Sequence, residues 1–161
     1  MTAVVTDTDR GLAALAQRLA EAAGFKGVRV GILADAPEAG RGDSGPASLV
    51  EVAAINEFGA PGAGIPARPF IRGTVDSQQA EMRRSQATLA RAVIAGRITP
   101  LQALQQIGAR VKGMIQQAIA RGGDPPFEPN APSTLEAKAP KTKPLIDTGT
   151  LRSAIAFEVE R

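Results

Sequence analysis

The chain has 161 residues, enough for one domain with one modest core. Apolar residues make up 43% of it but aromatics only 3%, five Phe and no Trp or Tyr, so aliphatic side chains must build the core and each Phe carries an unusual share of its bulk. The absence of His and Cys removes the commonest general base, the thiolate nucleophile, the usual zinc ligands and any disulfide, while 19 basic against 16 acidic residues give a net charge of +3 that solubility alone explains.

What is left for chemistry is carboxylate, hydroxyl, Lys and Arg, which makes most hydrolase and redox mechanisms improbable and leads us to expect no enzyme activity and no cofactor. No apolar run approaches the roughly eighteen residues of a membrane span, and the opening MTAVVTDTDRG lacks the basic start and apolar block of a secretory signal. Synthesis in a cytoplasm, with no membrane partner, is the expectation.

In chain order, Asp7 or Thr8 can cap a helix over 8 to 23, whose Leu12, Leu15 and Leu19 recur at helical spacing up to Gly24. Val28, Val30 and Ile32 then alternate with Arg29 and Gly31 as in a half-buried strand. Residues 34 to 47 are small, charged or turn-forming, and read as a mobile loop; the Arg41-Gly42-Asp43 tripeptide within it is a chance occurrence in a chain without a secretion signal. Ser48 and Glu51 have capping-box spacing at the head of a helix from 49 to about 57, with Leu49, Val52, Ala53 and Ile55 as its apolar stripe.

Pro66 and Pro69 push Ile65 and Arg68 toward extended geometry, so ARPF should run extended into a helix over 74 to 95 with a thin seam of Val75, Met82, Leu89 and Val93. Gly96 ends it. Thr99, Pro100 and Gln102 cap another helix whose Leu101, Leu104, Ile107, Val111, Ile115, Ala118 and Ile119 form a stripe up to Gly122, making a long helical hairpin. Residues 123 to 147 hold six prolines and read as an extended arm, with a turn of helix at 133 to 138. After a capped turn at Asp147-Thr148-Gly149, Ile155, Phe157 and Val159 mark a second strand. The sum is a single α+β domain over 1 to 161, a small antiparallel sheet packed against helices, with a long helical hairpin and extended loops.

Candidate chemical sites are sparse. Glu51 and Glu57, six residues apart, do not share a helix face, and Asp35, Glu38 and Asp43 lack the spacing of a calcium loop and read as solvated carboxylates. Basic residues gather at Arg83, Arg84, Arg91 and Arg97, and at Lys138, Lys141 and Lys143 with Arg152. They suit either phosphate contact or ordinary surface charge, without the aromatic platform that single strands or RNA need.

Two phrases, EVAAINEFGAPGAGIPARPFIR and PLIDTGTLRSAIAFEV, together resemble the paired signatures of tailed-bacteriophage neck and tail-completion proteins, the small head-tail joining proteins. The matching stretches are Ile55 to Gly59, Ile65 to Phe70 and Leu145 to Leu151; one departure is Ala154 between Ser153 and Ile155, where members of that family carry Ser directly before Ile. The resemblance implies a non-enzymatic α+β virion protein in a ring at the head-tail junction, six-fold like the tail tube, as a tail-completion, tail-terminator or neck component. Its implied partners are copies of itself and the adjoining connector and tail-tube proteins, around a channel through which DNA passes without sequence-specific binding. It would be assembled in the host cytoplasm and reside in the virion. A DNA-contacting protein with a basic surface is the alternative.

The residues the resemblance singles out as structural or interface positions are Asn56, Glu57, Phe58, Gly59, Pro66, Arg68, Pro69 and Phe70 in the first signature, and Asp147, Thr148, Gly149 and Leu151 in the second. Phe58 and Phe70 should bracket a Gly-Pro hairpin and pin both its ends in the core, Arg68 should pair with Glu57 or Glu51, and the tip from 60 to 64 should be exposed. Loop 34 to 47 and arm 123 to 147 are the segments expected to reach a neighbour.

Overall fold

The computed structural model describes residues 11–33, 48–139, 142–145 and 149–161; the expected cap at Asp7 or Thr8, the loop over 34 to 47, and Asp147 and Thr148 lie outside them. Strand alternation sets the sheet. β1 (Gly27–Ile32) and β2 (Ile155–Glu160) pair antiparallel, with Val28 opposite Val159, Val30 opposite Phe157 and Ile32 opposite Ile155 on one face. On the other face Arg29 stands opposite Glu158 and forms an ion pair with Glu160. Such a two-stranded ribbon is marginal alone and needs a covering helix.

That helix is α5 (Pro100–Arg121). Thr99 and Gln102 cap it reciprocally at 3.1 and 2.9 Å, and Gly122, left-handed at φ 92°, ends it. Ile115 and Ile119 are fully buried in one cluster with Leu49, Ala53, Phe70, Leu145, Leu151 and Ile155. Gly108 lets the Phe157 ring lie directly on the helix: a Cβ there would come within 2.3 Å of it.

Against α5 pack α3 (Arg72–Ser77) and α4 (Gln79–Ile94), in place of the single helix expected over 74 to 95. The break falls at Gln78, with φ −102° and ψ 9°. Thr74 donates to the Phe70 carbonyl at 2.6 Å and Ser77 to the Thr74 carbonyl at 3.3 Å, side-chain bonds that compete with a regular helix. The direction of α3 is fixed by the loop before it and that of α4 by α5, to which Glu81 and Arg110 tie it.

Helix α1 (Leu12–Ala23) begins after Gly11 and has no buried residue: Leu12 is 74% and Leu19 54% exposed, so the expected stripe does not enter the core. Helix α2 (Leu49–Phe58) is capped reciprocally by Ser48 and Glu51 as expected, and buries Leu49 and Ala53 but not Ile55. Helix α6 (Pro132–Lys138) lies in the Pro-rich arm, and α7 (Thr150–Ser153) leads into β2. None of the helices is long and apolar enough to cross a membrane, among the described residues.

Two glycines of α5 give a matched test. Gly108→Ala should lower stability by roughly 1–3 kcal/mol through overpacking against Phe157. Gly113→Ala, where a Cβ meets nothing within 4 Å, should raise it by about 0.5–1 kcal/mol. Urea unfolding of both variants measures the opposite signs.

Candidate functional site

The 55 to 72 segment folds as a short hairpin clamped at its base. Gly59 adopts φ 77°, and a Cβ on it would fall 2.8 Å from the Ala67 nitrogen, so only glycine lets the returning chain pass. Ala60 and Ile65 exchange backbone hydrogen bonds of 2.8 and 3.1 Å around a turn of 3-10 helix (Pro61–Ala63), and residues 61 to 64 are exposed. Beyond it residues 66 to 69 form no regular element, with Pro66 exposed and Pro69 half-buried, and the Phe70 N–H donates to the Arg68 carbonyl at 2.8 Å, a tight turn over Pro69 where ARPF was expected to run extended into the helix. The Arg68 N–H donates to the Asn56 carbonyl at 2.6 Å, tying this segment to the end of α2, and the Asn56 amide donates to Val52 in its own helix at 2.8 Å.

Glu57 and Arg68 are both buried, yet they do not form the expected ion pair, and neither does Glu51, which serves the α2 cap. The Glu57 carboxylate accepts from the backbone N–H groups of Ile71 and Arg72 at 2.9 and 2.8 Å, so it caps α3 from outside, where a negative charge is favoured. The Arg68 guanidinium donates to the carbonyls of Glu128 and Pro129, both at 2.8 Å. Burial pushes the Arg68 pKa down from its ordinary value and the nearby Glu128 carboxylate opposes this; the group stays charged. The arm is therefore fastened to its own domain at its start.

The two aromatics part company. Phe70 is fully buried, whereas Phe58 is 68% exposed, with the Arg72 guanidinium carbon 6.0 Å from its ring centroid. Expecting both in the core was wrong because Phe58 lies on the α2 face shared by Val50 and Ala54, and the inward face carries Leu49, Ala53 and Glu57.

The second signature meets the first inside the core. Leu145 and Leu151 are buried in the same cluster as Phe70, and Gly149, at φ 84°, turns the chain into α7. Gln116 of α5 donates to the Arg152 carbonyl at 3.0 Å and holds that turn down. Sequence reasoning missed Phe127, Glu128, Pro129 and Thr74. Phe127, packed on the core, was the available signal: an isolated aromatic in a Pro-rich arm marks an anchor.

The polar contacts of this segment join separate pieces of chain, α2 to α3 through Glu57 and residues 66 to 69 to the arm through Arg68. An open cleft of about 190 Å³ lies beside it, lined by residues that include Ala67, Thr74, Ala118 and Phe127. Among the described residues no three His, Cys, Asp or Glu side chains gather around a common point that could hold a metal ion.

Phe70→Ala should cost roughly 3–5 kcal/mol and Phe58→Ala well under 1 kcal/mol in denaturant unfolding of the single chain. Arg68→Met removes the charged donor that ties the buried Arg68 position to the carbonyls of the exposed residues Glu128 and Pro129 and should cost about 1–3 kcal/mol, with faster proteolytic cutting between 123 and 131 as the local readout; an unchanged cutting rate would separate Arg68 from the arm. Comparison of the chain with protein-family models, with curated proteins and with solved structures gave no match.

Proposed function

We propose that this chain is a structural subunit of a tailed-phage virion, closing into a ring at the head-tail junction as a tail-completion or neck component. The observation that carries this reading is the pair of apolar faces the single chain leaves open. On α1, Leu12, Ala16, Leu19 and Ala23 recur at helical spacing and all are exposed. On α2, Val50, Ala54 and Phe58 do the same, with Ile55 beside them.

Two unlike faces on different elements suit head-to-tail association, in which one face of a subunit meets the other face of the next and the series closes. A self-complementary dimer needs only one such face. The exposed 61 to 64 tip next to Phe58 belongs to the same surface. The paired signatures add that their residues converge on one core, so the hairpin is held at a fixed angle to α2 and α3. A rigid edge of this kind suits a ring subunit better than a site for turnover.

Phe58→Asp and Leu19→Asp should each convert the assembled protein to monomer with unchanged helix content, read by light scattering after size exclusion and by circular dichroism. Mixed in equal amounts, the two variants retain one intact pair of faces and should give a dimer that grows no further. Dimers formed by either variant alone would contradict head-to-tail closure, and a wild-type chain that stays monomeric at all concentrations and with its virion neighbours would end the ring reading. In a phage carrying the gene, its deletion should leave filled heads beside separate tails.

A further inference from the structure

We propose that the outward face of α4 binds the phosphate backbone of duplex DNA. Ala80, Arg84, Ala87 and Arg91 recur at steps of four and three residues and all are exposed, so they form one stripe on the side of α4 away from Met82, Leu89 and Val93. Arg83 flanks the stripe and Arg97 follows the helix end. Arg84 and Arg91 stand two turns apart, about 10.5 Å along the axis. The alanines between them leave room for a polymer to approach both.

Among the described residues no acid neutralises this face. The one carboxylate within α4, Glu81, is taken by Arg110 of α5, and no carboxylate pairs with Arg83, Arg84, Arg91 or Arg97 among the described residues. Arg18 of α1 adds a further cation at the C-terminal end, donating to the Ile94 carbonyl at 3.0 Å with its guanidinium against Gly96. One cation there complements the helix dipole; Arg18, Arg91 and Arg97 together exceed it.

Duplex fits this face better than single strands or RNA. Those are gripped by stacking their bases on aromatic rings, and the whole chain has no Trp, Tyr or His. A duplex offers a dense line of phosphates without unstacked bases, and arginines on an exposed helix meet it without reading sequence. The inference rests on the head-tail joint reading only for the presence of duplex in the ring's channel, and there it makes α4 the channel-facing element.

The test is fluorescence anisotropy of a labelled duplex of arbitrary sequence with the wild-type protein, titrated across salt. Four phosphate contacts should weaken affinity roughly 100-fold between 50 and 200 mM salt, and Arg84→Ala/Arg91→Ala should lower the log-log slope by about 2. Alanine keeps the helix, which circular dichroism verifies. Arg29→Ala, on the sheet face turned away from α5, is the control and should leave the slope unchanged.

Absence of salt-dependent duplex binding by wild type, an equal loss in Arg29→Ala, or a slope unmoved in the double variant overturns the proposal. So does binding to phosphatidylserine vesicles with none to duplex. Light scattering on the same samples keeps the two readings apart: rings that ignore DNA refute the α4 assignment alone, and DNA-binding monomers that never assemble refute the ring alone.

Discussion

Glu57 and Arg68 are buried charges eleven residues apart, and the fold of the joint depends on each being satisfied by backbone groups rather than by the other. An isolated buried charge is costly unless hydrogen-bonded in full. Glu57 meets this cost with two N–H groups that otherwise would be orphaned at the start of α3, and Arg68 meets it with two carbonyls of a Pro-rich segment that has few partners of its own. Each charge thereby crosslinks separate pieces of chain: α2 to α3, and the 66 to 69 segment to the arm. A direct Glu57–Arg68 pair would have joined only the two ends of one hairpin.

The crosslinks explain how so little aromatic material suffices. Phe70 is the single fully buried ring, and it sits between the residue whose N–H Glu57 accepts and the residue whose guanidinium holds the arm. Leu145 and Leu151 complete its surroundings from the far end of the sequence. Ile115 and Ile119 of α5 supply the floor on which both signatures rest, and Gly108, further along the same helix, admits Phe157 of the sheet. The core is thus one helix deep, and α5 separates the sheet on one side from α4 on the other.

What could be read from the sequence was local. Both capping boxes, the strand alternation and the glycine ends of the helices depend on neighbours within a few residues, and each appears where the spacing places it. The partners of Arg68 lie about 60 residues away and are carbonyls, which every residue type carries, so no side chain announces them. Phe58 shows a different limit. Of the expected α2 stripe Leu49 and Ala53 are buried and Ile55 is exposed, while Glu57, in line with Leu49 and Ala53, is buried and carries the face inward. Only the tertiary role of that carboxylate decides the phase. The break at Gln78 was likewise invisible, since 74 to 95 holds no Pro or Gly and the side-chain bonds of Thr74 and Ser77 to backbone carbonyls accompany it.

Helix α1 follows from the same balance. A helix of 12 residues is marginal in water, and tertiary burial normally stabilises it. Arg18 ties it to the end of α4, and the Lys26 N–H just beyond it donates to the Glu160 carbonyl. Its leucines gain nothing from pointing into water, so their stabilising contribution is available only in contact with another apolar surface. In the proposed ring, association would therefore be coupled to the ordering of α1, and the same contact that joins neighbours would fix the end of α4 through Arg18. Assembly and the alignment of the basic face then become one event, because the helix that carries the apolar stripe also holds the C-terminal end of the helix that carries the arginines.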